Sequence, residues 1–199
     1  MPNQSSISSI NKWQVMSFAA PSMGLAFLMG PMGVVQGIYA KHYAMPLTVL
    51  AAVLLVGRVF DAITDPVIGH FSDVHRARTG SRKTFVILGG LCLIPSGYFL
   101  FVPPEDVGVA YFMGWTLLFY LASTLKTIPT NAWGSELSSG SVERTALFTS
   151  LVFSSRFGAA LFYLLPFLPI FSTTEITPET LKVSIIVGAV LILPGLYCA

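Results

Sequence analysis

Apolar residues run along this chain in long, nearly uninterrupted stretches separated by short polar breaks. A hydrocarbon core about 30 Å thick is crossed by about 20 apolar residues of helix. Six stretches meet that length: about Trp13–Tyr39, Leu47–Phe71, Thr84–Val102, Val107–Trp133, Thr145–Phe171 and Leu181–Ala199. Pro103-Pro104-Glu105-Asp106 reads as a tight turn, because proline cannot continue a helix and disfavours the helical conformation in the residue before it. Ser135–Glu143 and Ser172–Glu179 read as polar loops. The pattern predicts an all-α membrane protein, with a polar N-terminal segment at 1–12 and a six-helix transmembrane bundle over 13–199. The sixth stretch reaches the last residue without a polar anchor, so the chain is expected to be cut from a longer one. Pro21, Pro31, Pro66, Pro129, Pro166 and Pro169 fall inside spans and predict kinks, which neighbouring helices can accommodate in lipid.

Composition agrees with that pattern. Of 199 residues, 54% are hydrophobic and only 10% charged, where a soluble domain carries roughly a quarter charged. A net charge of +2 leaves no basic face large enough to follow a phosphate backbone, which excludes nucleic acid as a partner. Cys92 and Cys198 both sit in apolar runs, so no disulfide framework is expected. His70 and His75 lack partners at metal-ligand spacing, and His42 reads as solvated. There is no Ser/His/Asp set, zinc spacing or Gly-rich phosphate loop, so neither an enzyme nor a cofactor or metal site is expected. The N-terminus leads into an apolar run too long for a secretory signal and reads as an uncleaved first helix.

Orientation follows from Lys and Arg near the span ends. With a cytoplasmic N-terminus, Lys12, Arg76, Arg78, Arg82, Lys83 and Arg144 fall on the cytoplasmic side, against Lys41 and Lys182 on the other. Trp13 and Trp133 then lie at the cytoplasmic boundary, where amphipathic rings are favoured.

Five charges remain inside spans: Arg58, Asp61, Asp65, Lys126 and Arg156. Ionisable groups in lipid are costly and point to function. Positions 58, 61 and 65 form one helical stripe, which must face protein or water. At a rise of about 1.5 Å per residue, Arg58, Asp61 and Arg156 lie near mid-membrane, Asp65 about 7 Å and Lys126 about 10 Å toward the cytoplasm. Depth therefore predicts pairing of Asp65 with Lys126, and of Asp61 with Arg156 or Arg58. Two acids one turn apart can also bind a hard cation through oxygen, whereas the three bases could neutralise them as structural ion pairs. Gln36, Thr127, Thr130, Asn131, Trp115 and Tyr120 are the polar and aromatic groups expected to line a cavity for a polar solute.

The run Arg58-Val-Phe-Asp61-Ala-Ile-Thr-Asp65-Pro66-Val-Ile-Gly69-His-Phe-Ser-Asp73, followed by Arg76, Arg78, Gly80, Arg82 and Lys83, resembles the hallmark of the glycoside–pentoside–hexuronide:cation symporters. These form the melibiose-permease-like branch of the major facilitator superfamily. Thr127-Ile-Pro129-Thr-Asn131-Ala-Trp-Gly134-Ser-Glu136-Leu with Glu143-Arg144-Thr145 is similar to the end of that family's fourth helix and the loop after it. The resemblance implies the N-terminal bundle of a twelve-helix carrier whose cavity opens alternately to either side of the cell membrane. It implies symport of a sugar or glycoside with sodium or a proton, a second six-helix bundle as partner, and a lipid surround. Asp61 and Asp65 would serve cation coupling, with Thr127 at the position of a cation-binding acid in melibiose permease. Asp61, Gln36, Trp115, Tyr120, Lys126, Asn131 and Arg156 would face substrate. Gly69, Asp73, Arg78, Arg82 and Lys83 would form a conformational latch. The first helix lacks the charged pair of melibiose permease, and Arg156 lies one turn after the family's usual arginine. A lysolipid or other solute is the alternative cargo, and a half-unit that transports nothing without a partner is the alternative function.

Overall fold

The computed structural model describes residues 12–138 and 140–198, with the backbone alone for residues 12–14, 17 and 193–198. Residues 1–11 of the polar segment expected at 1–12 lie outside the described residues, as do the side chains of Lys12 and Trp13. Every regular element among the described residues is helical: α1 (Lys12–Met29), α2 (Val35–His42), α3 (Leu47–Thr79), α4 (Lys83–Phe101), α5 (Val109–Leu137), α6 (Ser141–Leu164) and α7 (Pro178–Cys198). Short 3-10 turns at Gly30–Gly33 and Leu165–Phe167 join α1 to α2 and end α6.

Four helical stretches among the described residues, Phe18–His42, Leu47–Thr79, Lys83–Phe101 and Ser141–Phe167, are long and apolar enough to cross a membrane. That is fewer than the six expected. α5 is 29 residues long, but Lys126, Thr127, Thr130 and Asn131 dilute its apolar run.

Three boundaries differ from the sequence reading. The first span is two helices, because Pro31 supplies no backbone N–H and the chain tightens into a 3-10 turn there. The second does not stop near Phe71. α3 continues through Asp73, Arg76 and Arg78 to Thr79, and only Gly80 halts it, in the left-handed conformation (φ 76°) with its N–H on Arg76 O at 2.8 Å. Asp73 and Arg78, expected in a latch beyond the second span, thus lie in the last turns of a 33-residue helix. The loop expected at Ser135–Glu143 is likewise mostly helix, since α5 runs to Leu137 and α6 starts at Ser141.

α1 packs chiefly on α6 and α7, α4 on α5 and α7, and α3 on α5. The core holds Phe27, Leu28, Leu93, Phe101, Phe112, Phe119 and Phe162. Two glycines set the closest approaches. A Cβ on Gly158 of α6 would fall on the Met23 carbonyl of α1, and one on Gly89 of α4 would lie 2.6 Å from the Lys126 backbone nitrogen of α5. Small residues at such crossings let helix backbones meet. α3 and α6 instead leave apolar faces uncovered, including Leu55, Val59, Ile63 and Phe71 on the first and Val152, Phe153 and Phe157 on the second.

Candidate functional site

A cavity of about 700 Å³ opens between α1, α5 and α6. Ser22, Leu25, Ala26 and Met29 of α1 form one wall, Lys126, Thr127, Thr130 and Asn131 of α5 another, and Ser155, Arg156, Ala159 and Tyr163 of α6 the third. The volume lies in the range of small-molecule sites. Helical spacing produces this lining: 22, 25, 26 and 29 recur at three and four residues, as do 155, 156, 159 and 163. Lys126, Thr127, Asn131 and Arg156 are thereby gathered as expected.

Gln36, Trp115, Tyr120 and Asp61 are not among the cavity's lining residues. Trp115 stacks on Phe99 with ring centroids 4.5 Å apart, in the contact between α5 and α4. Tyr120 packs on α3, where a Cβ on Gly57 would come within 2.8 Å of its ring. The Arg58 guanidinium lies over that ring, 5.6 Å from its centre. Gln36 sits on α2, half-buried.

The predicted pairing of Asp65 with Lys126 does not form, nor does that of Asp61 with Arg156. Among the described residues, neither acid makes an ion pair with Lys126 or Arg156. Asp61 Oδ2 instead meets Arg58 Nη1 on its own helix at 3.9 Å. The reason is azimuth. Ile128, two residues beyond Lys126, sits opposite Gly69 of α3, where a Cβ would be 3.7 Å from it. Lys126 lies about 200° round α5 from Ile128, and reaches α1, donating from Nζ to Pro21 O at 3.3 Å. Depth alone could not distinguish the two sides of α5. Asp61 and Asp65 remain half-buried and off the exposed apolar stripe of α3. Asp61 Oδ1 is buried with no hydrogen-bond partner among the described residues.

A second charged cluster joins α3, α4 and α5 at the end of the bundle. Arg82 Nη1 meets Asp73 Oδ1 at 2.6 Å, and its Nη2 meets Glu136 Oε1 at 3.0 Å. Arg82 Nη1 also donates to Ser72 Oγ at 3.0 Å, while Arg76 Nε reaches Glu136 Oε2 at 2.7 Å. The Arg82 side chain is only 8% exposed. Burial works against its charge, but hydrogen bonds to Asp73 and Glu136 outweigh that and hold its pKa above the ordinary arginine range. Of the expected latch residues, Asp73 and Arg82 meet directly and Gly69 faces α5. Arg78 and Lys83 are exposed and make no side-chain ion pair among the described residues. Glu136, which completes the cluster, falls in the polar loop expected at Ser135–Glu143, whereas it lies near the end of α5. Its place near the end of a long helix was the missing signal.

An open cavity with basic and hydroxyl-bearing side chains on a largely apolar lining, among helices long and apolar enough to cross a membrane, is compatible with a membrane transporter. The chain belongs to the MFS/sugar transport protein family, whose model matches residues 16–199. It is also similar to an uncharacterized symporter of Synechocystis sp. (strain ATCC 27184 / PCC 6803 / Kazusa), with 30% identity over 131 residues, or 61% of this chain and 24% of that protein. The match thus spans about a quarter of the length of that curated relative. No solved structure matches.

Proposed function

We propose that this chain forms the N-terminal six-helix bundle of a secondary active symporter that carries a sugar or glycoside with sodium or a proton. The observation that carries this reading is the cavity of about 700 Å³ walled by α1, α5 and α6, with Lys126, Thr127, Asn131 and Arg156 on its lining. Asp61 and Asp65, one turn apart on α3, supply the coupling oxygens, and the partnerless Asp61 Oδ1 supports that role. Removing their negative charge by ion binding would raise solute affinity. The uncovered faces of α3 and α6, which carry exposed Arg58 and Arg156 beside apolar residues, suit a second bundle that closes the cavity from the other side. The excess of Arg and Lys at the end bearing Arg76, Arg78, Arg82, Lys83 and Arg144 sets that end toward the cytoplasm of a cell membrane. There the Asp73–Arg82–Glu136 cluster is the latch that holds one state of the cycle.

Uptake of sugars into vesicles containing the full-length protein, with and without an imposed sodium gradient and then a proton gradient, tests the reading. Faster uptake under one gradient is expected. Equal uptake under all conditions would remove ion coupling.

A further inference from the structure

A smaller cavity, of about 320 Å³, lies where the ends of α3, α4 and α5 meet, and it shares no lining residue with the larger one. Its lining brings together Arg76 from α3, Arg82 and Lys83 from the start of α4, and Glu136 from α5. Gly80 turns the chain between α3 and α4 in the left-handed conformation, and the turn places Ser81 in the lining beside the three cations.

These groups are positioned by the fold itself. Arg82 is buried and fixed by Asp73, Glu136 and Ser72. Arg76 is anchored through Nε on Glu136 Oε2 at 2.7 Å, while 46% of its side chain stays open. The Lys83 backbone N–H donates to Ser81 Oγ at 3.2 Å, which leaves the serine O–H to donate elsewhere. The Lys83 side chain is exposed. Guanidinium groups bind phosphate oxygens through a planar fork, and a lysine adds a compact point charge. With Glu136 and Asp73 both counted, the three cations leave this end of the bundle net positive.

The other wall differs in character. Trp133 and Leu137, one turn apart on α5, line the same cavity, and Leu137 is exposed. An apolar wall beside a cationic one matches the junction between a lipid headgroup and its glycerol and acyl groups, where tryptophan is favoured. Basic cavities between helices on the cytoplasmic side suit anionic headgroups.

We propose that this cavity is a binding site for an anionic phosphate group, supplied by a phospholipid of the surrounding bilayer or by a free phosphate ion, with the phosphate oxygens on Arg76, Lys83 and Ser81. The bound molecule bridges α3 to α4 and is not cargo, so the inference goes beyond the transport reading and does not depend on what is carried.

The test measures binding to the full-length protein in a neutral detergent, by native mass spectrometry and by melting temperature. Dioleoylphosphatidylglycerol, dioleoylphosphatidylcholine and inorganic phosphate are added separately to the parent, to Lys83→Gln and to Arg78→Gln. Arg78 is also exposed but does not line the cavity, so it controls for general attraction between anions and a basic surface. Phosphatidylglycerol or inorganic phosphate is expected to raise the melting temperature of the parent more than phosphatidylcholine does. Lys83→Gln is expected to keep the parent melting temperature without added ligand and to weaken binding about fivefold, the effect of one basic residue near an anionic surface. Arg78→Gln is expected to bind as the parent does. A preference for phosphatidylglycerol assigns the site to lipid, and a response to inorganic phosphate alone assigns it to the free ion. Binding of none of the three would overturn the proposal, as would binding of both lipids equally with no response to phosphate. Equal weakening in Lys83→Gln and Arg78→Gln would also overturn it. None of these outcomes bears on gradient-driven uptake, which is measured separately.

Discussion

Arg82 and Glu136 are separated by 54 positions in sequence, yet the guanidinium and carboxylate meet at 3.0 Å. Arg82 is the buried member of the cluster, and Asp73 its exposed one, with 65% of its side chain open. Arg82→Ala removes hydrogen bonds to two carboxylates and to Ser72, and is expected to lower stability by about 2–3 kcal/mol. Asp73→Asn is expected to cost at most about 1 kcal/mol, as exposed ion pairs do. Thermal unfolding in detergent measures both, and equal losses would contradict the assignment of Arg82 as the hub. Because the folded pKa of Arg82 is raised, its contribution is complete below the unfolded arginine value and is lost only as pH rises through the folded one. Between pH 6 and 9 the parent-minus-Arg82→Ala difference should therefore show no slope due to arginine titration.

Helix crossings give a separate expectation. Gly89→Ala places a methyl group 2.6 Å from the Lys126 backbone nitrogen and 2.9 Å from the Ala122 carbonyl oxygen. Backbone cannot move aside as a flexible side chain can, so about 1–3 kcal/mol of destabilisation is expected. Gly114→Ala, with open space around it, serves as the control. It should match the parent in melting temperature or slightly exceed it.

Tyr39 is fully buried and donates from its hydroxyl to Leu100 O at 2.9 Å. That carbonyl belongs to the last turn of α4, where no further helical N–H follows to donate to it. Tyr39→Phe keeps the ring and removes the bond, at a cost of about 1 kcal/mol. A melting temperature equal to the parent's would show that the carbonyl finds another donor.

Which parts of this were legible beforehand follows from what each signal measures. Apolar run length located α4 within a residue or two, and placed Arg156 and Lys126 on spans that the structure confirms as helices. It also ended the second span at Phe71, where the apolar residues stop, although the helix itself continues to Thr79. Leaving lipid and leaving the helix are different events, and Asp73, His75 and Arg76 are tolerated in a helix on the water side. Depth pairs Asp65 with Lys126, but the structure does not form that pair, because depth carries no information about which side of α5 each neighbour occupies. The cavity half of the site was gathered as expected, whereas Trp115 and Tyr120 were assigned by side-chain type alone and prove to be packing residues against Phe99 and Gly57.

Coupling is tested at Asp61. Asp61→Asn keeps the shape of the side chain but abolishes its charge, and gradient-driven uptake by the full-length protein is expected to fall at least about fivefold. Solute exchange without a gradient should persist. Arg58→Gln, which removes the 3.9 Å contact on the same helix and the guanidinium over the Tyr120 ring, is expected to retain gradient-driven uptake. Loss in Arg58→Gln with retention in Asp61→Asn would reverse the roles given to these two side chains.

The 33 residues of α3 between Leu47 and Gly80 span about 50 Å, some 20 Å more than a hydrocarbon core is thick. Its contact with Tyr120 at Gly57 lies far from the end that bears Asp73 and Arg76. Were α3 to pivot about Gly57 along its packing on α5, rotation would be amplified at its tip. With about 24 Å of helix between Gly57 and Asp73, a tilt of about 7° displaces Asp73 by roughly 3 Å, as far as its whole separation from Arg82. A rocking of that size would be enough to part Asp73 from Arg82 at the membrane surface.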